Sequence, residues 1–130
     1  MTTVEDKFPE VERLTVRPQF LFVRGGISER RKSVVVQARQ RTGARAEKDT
    51  VGEGFTATKK IGNAVVRNRA KRRLRSAARE LLPRHGVPRT DYVFIARMDT
   101  AEIGWQRLLD DMESALISLR AALNAGSGPA

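Results

Sequence analysis

The chain has 130 residues and a mass of 14.5 kDa, which fits one domain with a modest core. Its net charge of +10 and its pI near 11.2 indicate a polyanionic partner, either nucleic acid or an anionic membrane surface. No run of 18 apolar residues is present, so we expect no membrane span. We also expect no secretory signal, and the absence of Cys excludes disulfides and thiolate metal sites.

The first part of the chain predicts an arm, a short helix and a strand. Residues 1–12 mix charges with isolated apolar positions, so we interpret them as an extended, poorly ordered arm. Pro18 suits the first turn of a helix, because its missing amide hydrogen has no helical partner there, and Gly25 followed by Gly26 predicts the end of that helix. The short β-branched run at residues 33–39 predicts a strand.

The next region predicts a hairpin. Residues 40–53 contain two glycines among mixed charges without periodicity, which is typical of a flexible loop. Residues 54–58 predict a second strand, whose successive side chains point to opposite faces. We expect this strand to pair antiparallel with the strand at residues 33–39, and a third strand in the hairpin region is left open.

A basic segment follows the hairpin. Residues 59–79 hold nine Lys or Arg and no acidic residue. Gly62 permits a tight turn, and Asn63 is suited to cap a helix that ends at Pro83. An apolar stripe at helical spacing predicts that one narrow side of this helix packs on a sheet, while the remaining circumference is cationic. The stripe consists of Val66, Ala70, Leu74, Ala77 and Leu81.

The last third of the chain predicts a buried strand at residues 91–97 and a long amphipathic helix. The apolar stripe of that helix begins at Trp105, and residues 125–130 are expected to form a frayed tail. The resulting order is helix, strand, strand, optional third strand, helix, strand, helix. This order predicts an α+β sandwich in a small single domain that spans residues 1–130.

The basic helix is suited to contact an RNA backbone. Lys and Arg release condensed counterions when they bind phosphates, and the planar Arg side chain pairs with phosphate bidentately. Asn68 is a poor helix former placed on the cationic face, so its carboxamide is a candidate contact to a nucleotide or to a metal-bound water. The candidate RNA-binding residues are Lys59, Lys60, Asn63, Arg67, Asn68, Arg69, Lys71, Arg72, Arg73 and Arg75.

Four other interpretations of the basic helix stay open. A solvated basic face needs no ligand, but it leaves like charges four residues apart uncompensated. A membrane-surface helix needs a broad apolar face of large side chains, whereas half of this stripe is Ala. A DNA-binding regulator needs varied base-reading side chains, whereas this helix presents almost only Arg and Lys. A ribosomal or other structural RNA-binding protein would need the same helix without a role in RNA processing.

Candidate catalytic groups are few. The single histidine, His85, is predicted in a solvent-exposed loop. Asp110, Asp111 and Glu113 are predicted on the solvated side of the last helix. No spacing resembles a two-metal carboxylate site or a nucleophile with its base. We therefore expect no catalytic residue, no metal ligands and no organic cofactor in the protein itself.

The basic segment and its flanks resemble a known family. Residues 59–75 resemble the signature of the bacterial ribonuclease P protein subunit, with its Arg-Asn-Arg core at residues 67–69. Residues 54–58 resemble the strand that leads into this signature, and residues 91–97 resemble the strand that follows it. The similarity covers roughly residues 13–123.

The resemblance implies a fold, a function and partners. The implied fold is a small α+β domain with a left-handed βαβ crossover, an uncommon hand. The implied function is that of an accessory subunit in an endoribonuclease whose RNA removes the 5′ leader from precursor tRNA and holds Mg²⁺. The implied partners are the catalytic RNA and precursor tRNA, with no membrane and no obligate protein partner, in the cytoplasm.

The resemblance also implies a cleft between the first helix and the sheet that holds the single-stranded leader. By position, the candidate leader-binding residues are Phe20, Arg24, Gln37, Thr56 and Thr58. Arg24 and Gln37 stand where the family often has aromatic residues, and stacking contributes about 1–3 kcal/mol per base, so we expect weaker stacking here. Whether Phe20 lines the cleft or belongs to the core is left open.

Overall fold

The computed structural model describes residues 10–126, which form a mixed five-stranded sheet and three α-helices. The strands are β1 (Val11–Arg13), β2 (Ile27–Arg30), β3 (Val34–Gln40), β4 (Val51–Thr56) and β5 (Thr90–Ala96). The helices are α1 (Arg17–Arg24), α2 (Ala64–His85) and α3 (Trp105–Gly126). The strand order across the sheet is β1-β4-β5-β3-β2. The predicted α+β class is confirmed.

The centre of the sheet contains a βαβ unit. β4 and β5 are parallel neighbours, and the chain between them forms α2. A parallel pair requires such a crossover, because a tight turn can join only antiparallel strands. β1 extends the parallel part at one edge, whereas β3 runs antiparallel to β5 and β2 runs antiparallel to β3. The basic helix is therefore fixed at both ends to adjacent strands.

The predicted antiparallel pairing of the strand at residues 33–39 with the strand at residues 54–58 is wrong. β5 lies between β3 and β4 and pairs with both of them. β5 is nearly all buried and arrives about 35 residues after β4 in the chain, so its insertion cannot be inferred from local pattern. The possible third strand in the predicted hairpin region at residues 40–53 does not form as a separate strand. The additional antiparallel strand, β2, precedes β3 and has the polar sequence Ile-Ser-Glu-Arg.

Part of the predicted N-terminal arm is ordered into the sheet. Val11–Arg13 forms β1, which pairs with β4 and is flanked by a backbone hydrogen bond of 2.8 Å from the Leu14 amide to the Glu53 carbonyl. Residues 1–9 of the predicted arm lie outside the described residues, and Glu10 directly precedes β1. Three residues give too short a pattern to be recognised as a strand, and the pairing partner supplies the stabilisation.

The two helix ends predicted from the sequence shift in the structure. Pro83 lies inside α2, which continues to His85, and the Gly86 amide then donates to the Leu82 carbonyl at 2.7 Å. Proline forfeits one hydrogen bond to the preceding turn but leaves the final turn free to form. α3 includes Ala125 and Gly126, which were predicted in the tail, and residues 127–130 lie outside the described residues.

The predicted flexible loop at residues 40–53 is tied to the sheet. It contains a 3-10 turn at Gly43–Glu47, and its last three residues belong to β4. Arg41 Nε donates to the Asp91 carboxylate at 2.8 Å, and Arg45 Nη1 donates to the same carboxylate at 2.5 Å. The side chains of Arg41 and Asp91 are fully buried, so this ion pair fixes the loop to the start of β5.

One face of the sheet is covered by α2 and α3. Alternating residues of the three central strands point to this face and form a large core with both helices. The fully buried side chains include Val34, Val36, Tyr92, Phe94, Leu74, Leu82, Leu108, Met112, Leu116 and Leu119. The Phe55 and Phe94 rings stack at 5.4 Å between centroids. We call this side the covered face.

Among residues 10–126, the opposite face is covered only by the short helix α1, and we call it the open face. Its core consists of Leu14, Val23 and Val93, with partly buried apolar residues around them. The β4 glycines permit close packing here, since a Cβ at Gly54 would lie 2.6 Å from the Phe20 ring. Because eight residues of helix cannot cover a five-stranded sheet, a cleft remains beside α1.

Candidate nucleic-acid interface

The basic helix begins at a well-defined N-terminus. Gly62 has φ of +149°, a conformation that strains any residue with a Cβ, and its carbonyl accepts a hydrogen bond of 3.0 Å from Arg67 Nη1. The Asn63 side chain caps the helix by accepting from the Val66 amide at 3.0 Å, as predicted. Lys59 and Lys60 lie just before it, exposed, in a 3-10 turn.

The predicted apolar stripe anchors α2 to the covered face. Ala70, Leu74 and Ala77 are fully buried, Leu81 is nearly so, and Val66 packs against the same core at partial exposure. Ala78 and Leu82 join them and widen the buried side toward the C-terminal end, so they complete the contact with the core. The cationic side chains are therefore presented from a rigid element rather than from a mobile tail.

One flank of the basic helix is tied to the segment before α3. The Arg69 guanidinium forms an ion pair with Glu102. Arg73 Nη1 donates to the Thr100 carbonyl at 2.5 Å, and Arg73 Nη2 donates to the Ile103 carbonyl. These contacts hold both arginine side chains against the protein, so this flank has less charge to offer to a ligand.

Three polar side chains on the remaining surface of the basic helix make no contact of this kind within the described part of the chain. Lys71, Arg72 and Asn68 make no hydrogen bond or ion pair with any of the described residues 10–126, and Asn68 and Arg72 are exposed. The Arg75 guanidinium lies 5.7 Å from the Phe55 ring centroid, and its Nε is buried without a partner in the described chain. Lys71 and Arg72 are therefore uncompensated cations, which favours a polyanion, whereas the charge of Arg75 is partly offset by the Glu53 carboxylate beside it.

The open face contains a cleft of about 380 Å³ between α1 and the three central strands. Its lining residues are Arg17, Phe20, Leu21, Arg24, Gln37, Thr56, Val93 and Ile95. Four of the five candidate leader-binding residues are among them, and the fifth, Thr58, is exposed beyond the end of β4 and does not line the cleft. Three strands and a helix thus bring residues that are far apart in sequence to one site.

Phe20 both lines the cleft and packs in the open-face core. Its ring fills the space above Gly54, and the residue is partly buried against the cluster around Val23. The alternatives left open for this residue are therefore not exclusive. Phe22, two residues along α1, lies outside the cleft, with the Arg39 guanidinium 4.3 Å above its ring.

Four lining residues were not predicted. Val93 and Ile95 lie on β5 on the side opposite the buried Phe94, so strand alternation would have placed them had the central position of β5 been known. Arg17 and Leu21 share a side of α1 with the predicted residues at helical spacing, a signal that was available in the sequence.

The cleft and the basic helix are joined through β4. Thr56 lines the cleft at the last residue of β4, and α2 begins at Ala64 after one 3-10 turn. The two surfaces therefore meet at the C-terminal end of β4, with Lys59 and Lys60 between them. The connection between β4 and α2 contains no Asp or Glu, so none of its residues places a negative charge between the cleft and the cationic surface.

The predicted solvation of two titratable residues is wrong. His85 ends α2, and its Nε2 lies 2.9 Å from a Glu113 carboxylate oxygen. Asp111 is nearly buried and accepts hydrogen bonds from the Ser33 hydroxyl and from Arg107. Burial opposes a lower pKa of Asp111, but these hydrogen bonds outweigh it and the pKa is lowered. Both residues join elements of the fold.

The described residues offer no group of three or more His, Cys, Asp or Glu side chains arranged to hold a metal ion. Within residues 10–126, no helix is both long enough and apolar enough to cross a membrane. The arrangement is a small α+β protein that presents a cationic helix beside a narrow cleft, the class of surface that suits a flexible polyanion.

Comparisons with known proteins identify the family. A family model described as Ribonuclease P matches residues 8–120. The ribonuclease P protein component of Caulobacter vibrioides is 56% identical over 115 residues, covering 88% of this chain and 75% of the relative. That of Ruegeria pomeroyi is 56% identical over 90 residues, covering 68% and 70%. This chain belongs to the ribonuclease P protein family.

Solved structures agree with this assignment at the level of the fold. The RNase P protein of Staphylococcus aureus superposes with a TM-score of 0.68 at 25% identity, covering 82% of this chain and 94% of that one. The RNase P protein from Thermotoga maritima superposes with a TM-score of 0.67 at 24% identity, covering 82% and 96%. The shared fold therefore extends over most of the described residues.

Proposed function

We propose that this protein is the accessory subunit of a ribonuclease P holoenzyme and promotes removal of the 5′ leader from precursor tRNA. The observation that carries the proposal is the free cationic surface of α2 beside the α1 cleft, in a chain that belongs to the ribonuclease P protein family. In this proposal the two surfaces bind two different parts of one RNA assembly.

The basic helix binds the catalytic RNA through its phosphates. Arg67 contributes its charge from the first turn, where it is hydrogen-bonded to the Gly62 carbonyl. Lys71 and Arg72 project from a helix that its buried stripe holds in place, so little backbone conformational entropy is lost on binding. Their positive charge screens the repulsion between the catalytic RNA and the precursor tRNA. Asn68 stands exposed among these cations and offers a neutral hydrogen-bonding group to the same RNA.

The cleft binds the single-stranded leader. The Phe20 ring and the apolar side chains of Val93 and Ile95 contact base faces, while Gln37 and Thr56 offer hydrogen-bonding groups. Arg24 at the rim contacts a leader phosphate or stacks its guanidinium plane on a base. Since the described lining of the cleft supplies one aromatic ring, its affinity for any one base is modest and its selectivity for sequence is low.

The phosphodiester chemistry belongs to the RNA partner in this proposal. Mg²⁺ is expected to be bound mainly by that RNA, whose phosphate oxygens are the hard ligands that this ion prefers. The protein contributes by positioning the leader and by lowering electrostatic repulsion. Such effects are largest when Mg²⁺ is scarce, because the cationic side chains of the protein then neutralise a larger share of the phosphate charge.

Reconstitution with the cognate catalytic RNA tests the proposal. At low Mg²⁺ concentration, adding the protein should increase the rate of leader removal, as measured by gel separation of cleaved and uncleaved precursor tRNA. Unchanged cleavage with correctly folded protein would show that the assignment is wrong. Cleavage that is stimulated equally for precursors with and without a leader longer than one nucleotide would refute the role of the cleft.

A charge-matched pair of variants tests the role of the basic helix. Lys71→Ala with Arg72→Ala should lower affinity for the catalytic RNA and reduce the slope of log affinity against log salt by about two. The control removes two exposed charges elsewhere, with Arg30→Ala on β2 and Arg120→Ala near the C-terminal end of α3, and should change the slope little. Equal changes in the two pairs would indicate a nonspecific effect of net charge.

A structural RNA-binding protein without a processing role is the alternative function. Such a protein needs the basic helix to bind RNA but does not need a cleft that binds a leader. Crosslinking from a photoreactive nucleotide in the leader separates the two functions, because only the processing subunit places the leader against Phe20 and Gln37. Absence of a leader crosslink, in a complex that still binds the catalytic RNA, would favour the alternative.

A further inference from the structure

Trp105 is a large aromatic residue left at the surface beside the basic helix. It is the first residue of α3 and the single tryptophan of the chain, and it remains 38% exposed. Most of the other apolar residues of α3 that face the core are fully buried. The apolar stripe predicted from the sequence therefore includes Trp105 only at its margin, and packing alone does not account for the indole at this position.

The indole is held beside an arginine of the basic helix. The Arg73 guanidinium lies 6.0 Å from the centre of the Trp105 ring, within reach of a cation–π interaction. Arg73 is itself fixed by its hydrogen bonds to the Thr100 and Ile103 carbonyls. Two planar groups are thus positioned side by side at the edge of α2, before any ligand arrives.

The charge around this pair favours a base over a phosphate. Arg69, the other cation on this flank, already forms an ion pair with Glu102, and Asp99 in the same segment lies 3.9 Å from Lys32. These two carboxylates, in the segment that leads into α3, offset cations that would otherwise attract a phosphate, whereas stacking of an uncharged base face needs no free cation. An exposed aromatic ring next to a fixed guanidinium is the arrangement on which unpaired bases stack.

We propose that Trp105, supported by Arg73, is a stacking platform for an unpaired base of the RNA that the basic helix binds. This inference rests on the proposed function, because it takes the partner of α2 to be an RNA. It extends the interface around the helix, from the free cations on one flank to a neutral aromatic contact on the other. The free flank then supplies salt-dependent affinity, and the Trp105 flank supplies a contact that does not depend on salt.

The intrinsic fluorescence of the protein tests the proposal directly. Because Trp105 is the single tryptophan, its emission reports on this position without any labelling. Titration of the wild-type protein with the catalytic RNA, excited at the red edge of indole absorption, should quench the emission and protect it from iodide. Tight binding without either change would overturn the inference and leave the proposed function intact. Absence of RNA binding would refute both.

Variants distinguish stacking from a structural role. Trp105→Ala should weaken RNA binding about tenfold, whereas Trp105→Phe keeps an aromatic face and should recover most of that loss. Neither variant removes a charge, so the salt slope should stay at the wild-type value, unlike that of Arg72→Ala. Ile117→Ala is the matched control, since Ile117 is an exposed apolar residue of the same helix about 18 Å further along it and should leave affinity unchanged.

Two results would overturn the inference. One is a loss of affinity in Trp105→Ala that the phenylalanine variant fails to recover, with lowered thermal stability in both, since that pattern indicates a structural residue. The other is wild-type affinity in Trp105→Ala. Measuring the melting temperature of each variant alongside its affinity keeps the two readouts separate.

Discussion

The two faces of the sheet differ in how completely they are covered. Two helices of 22 residues cover one face and bury most of the core, whereas one helix of eight residues covers part of the other. The basic helix belongs to the covered face, and the cleft belongs to the open face. The cationic side chains therefore project from the side of the sheet with the larger core, and the cleft lies on the side with the smaller core.

This difference separates two kinds of sensitivity. On α2, the cations and the buried stripe are different residues, so the charges can be changed without disturbing the core. On α1, Phe20 serves the cleft and the small core together, so its two roles share one side chain. Changes to the cleft are therefore expected to couple binding to stability, whereas changes to the basic surface are not.

The largest effect is expected from a cavity in the covered face. Leu74→Ala should lower the free energy of unfolding by about 2–5 kcal/mol, because Leu74 is fully buried between α2 and the sheet. Urea denaturation followed by circular dichroism measures this change. The control is the same substitution at Leu21, which is 42% exposed on α1 and should cost only about 0.5 kcal/mol. Similar losses at both positions would show that the covered face does not dominate stability.

The open face should show coupled effects at one aromatic residue. Phe20→Ala should reduce the preference for leader-bearing precursor over mature tRNA by about tenfold, corresponding to one lost stacking contact. It should also lower stability, because its ring covers Gly54. The matched control is Phe22→Ala on the same helix, which removes a ring outside the cleft and should lower stability alone. If both variants changed the preference equally, the effect would come from α1 as a whole.

The sequence pattern was sufficient to predict those features of the site that lie within a single helix or turn. The buried stripe of α2, the turn at Gly62 and the cap at Asn63 follow from local spacing and backbone chemistry. The arrangement of the strands did not follow, because the position of β5 between β3 and β4 depends on contacts across the whole chain. β2 was missed for a related reason: its polar residues pair at an edge and carry no alternating pattern.

The cleft shows the same limit. Its predicted residues came from the family resemblance, and four of them converge in the structure. The residues that were missed on β5 required the strand order, which local pattern could not supply. Thr58 was placed at the cleft by the same resemblance, within a strand predicted to reach residue 58, but β4 ends at Thr56 and Thr58 does not line the cleft.

A smaller effect is expected within the basic helix itself. Arg72→Ala should reduce the salt slope for binding the catalytic RNA by about one, because Arg72 has no partner among the described residues. Arg69→Ala should reduce it less, because its guanidinium is already paired with Glu102. Filter binding over a series of salt concentrations measures both slopes. Equal reductions would mean that Arg69 exchanges its partner for a phosphate on binding.

The smallest effect concerns a gap of about 200 Å³ in the covered face, between β1, β4 and α2. Glu53 lines this gap, and burial raises the pKa of its carboxyl group, although Arg13, Arg75 and Arg79 act in the opposite direction. A raised pKa means that the folded state binds the proton more tightly than the unfolded state. Glu53 therefore contributes stability below its ordinary value of 4.5, and that contribution is lost as pH rises through the folded pKa.

Glu53→Gln should remove this contribution, because the amide is neutral at every pH. Above the folded pKa, the variant should be at least as stable as the wild type, and the difference in denaturation midpoint should shrink or reverse as pH falls below 4.5. Glu12, on the neighbouring strand, is the contrasting case. Its hydrogen bond from Thr50 lowers its pKa, so Glu12→Gln should instead lose stability above the ordinary carboxyl range. Urea midpoints measured across pH would contradict this account if both variants shifted in the same direction, since a buried carboxyl group and a hydrogen-bonded carboxylate should change stability oppositely with pH.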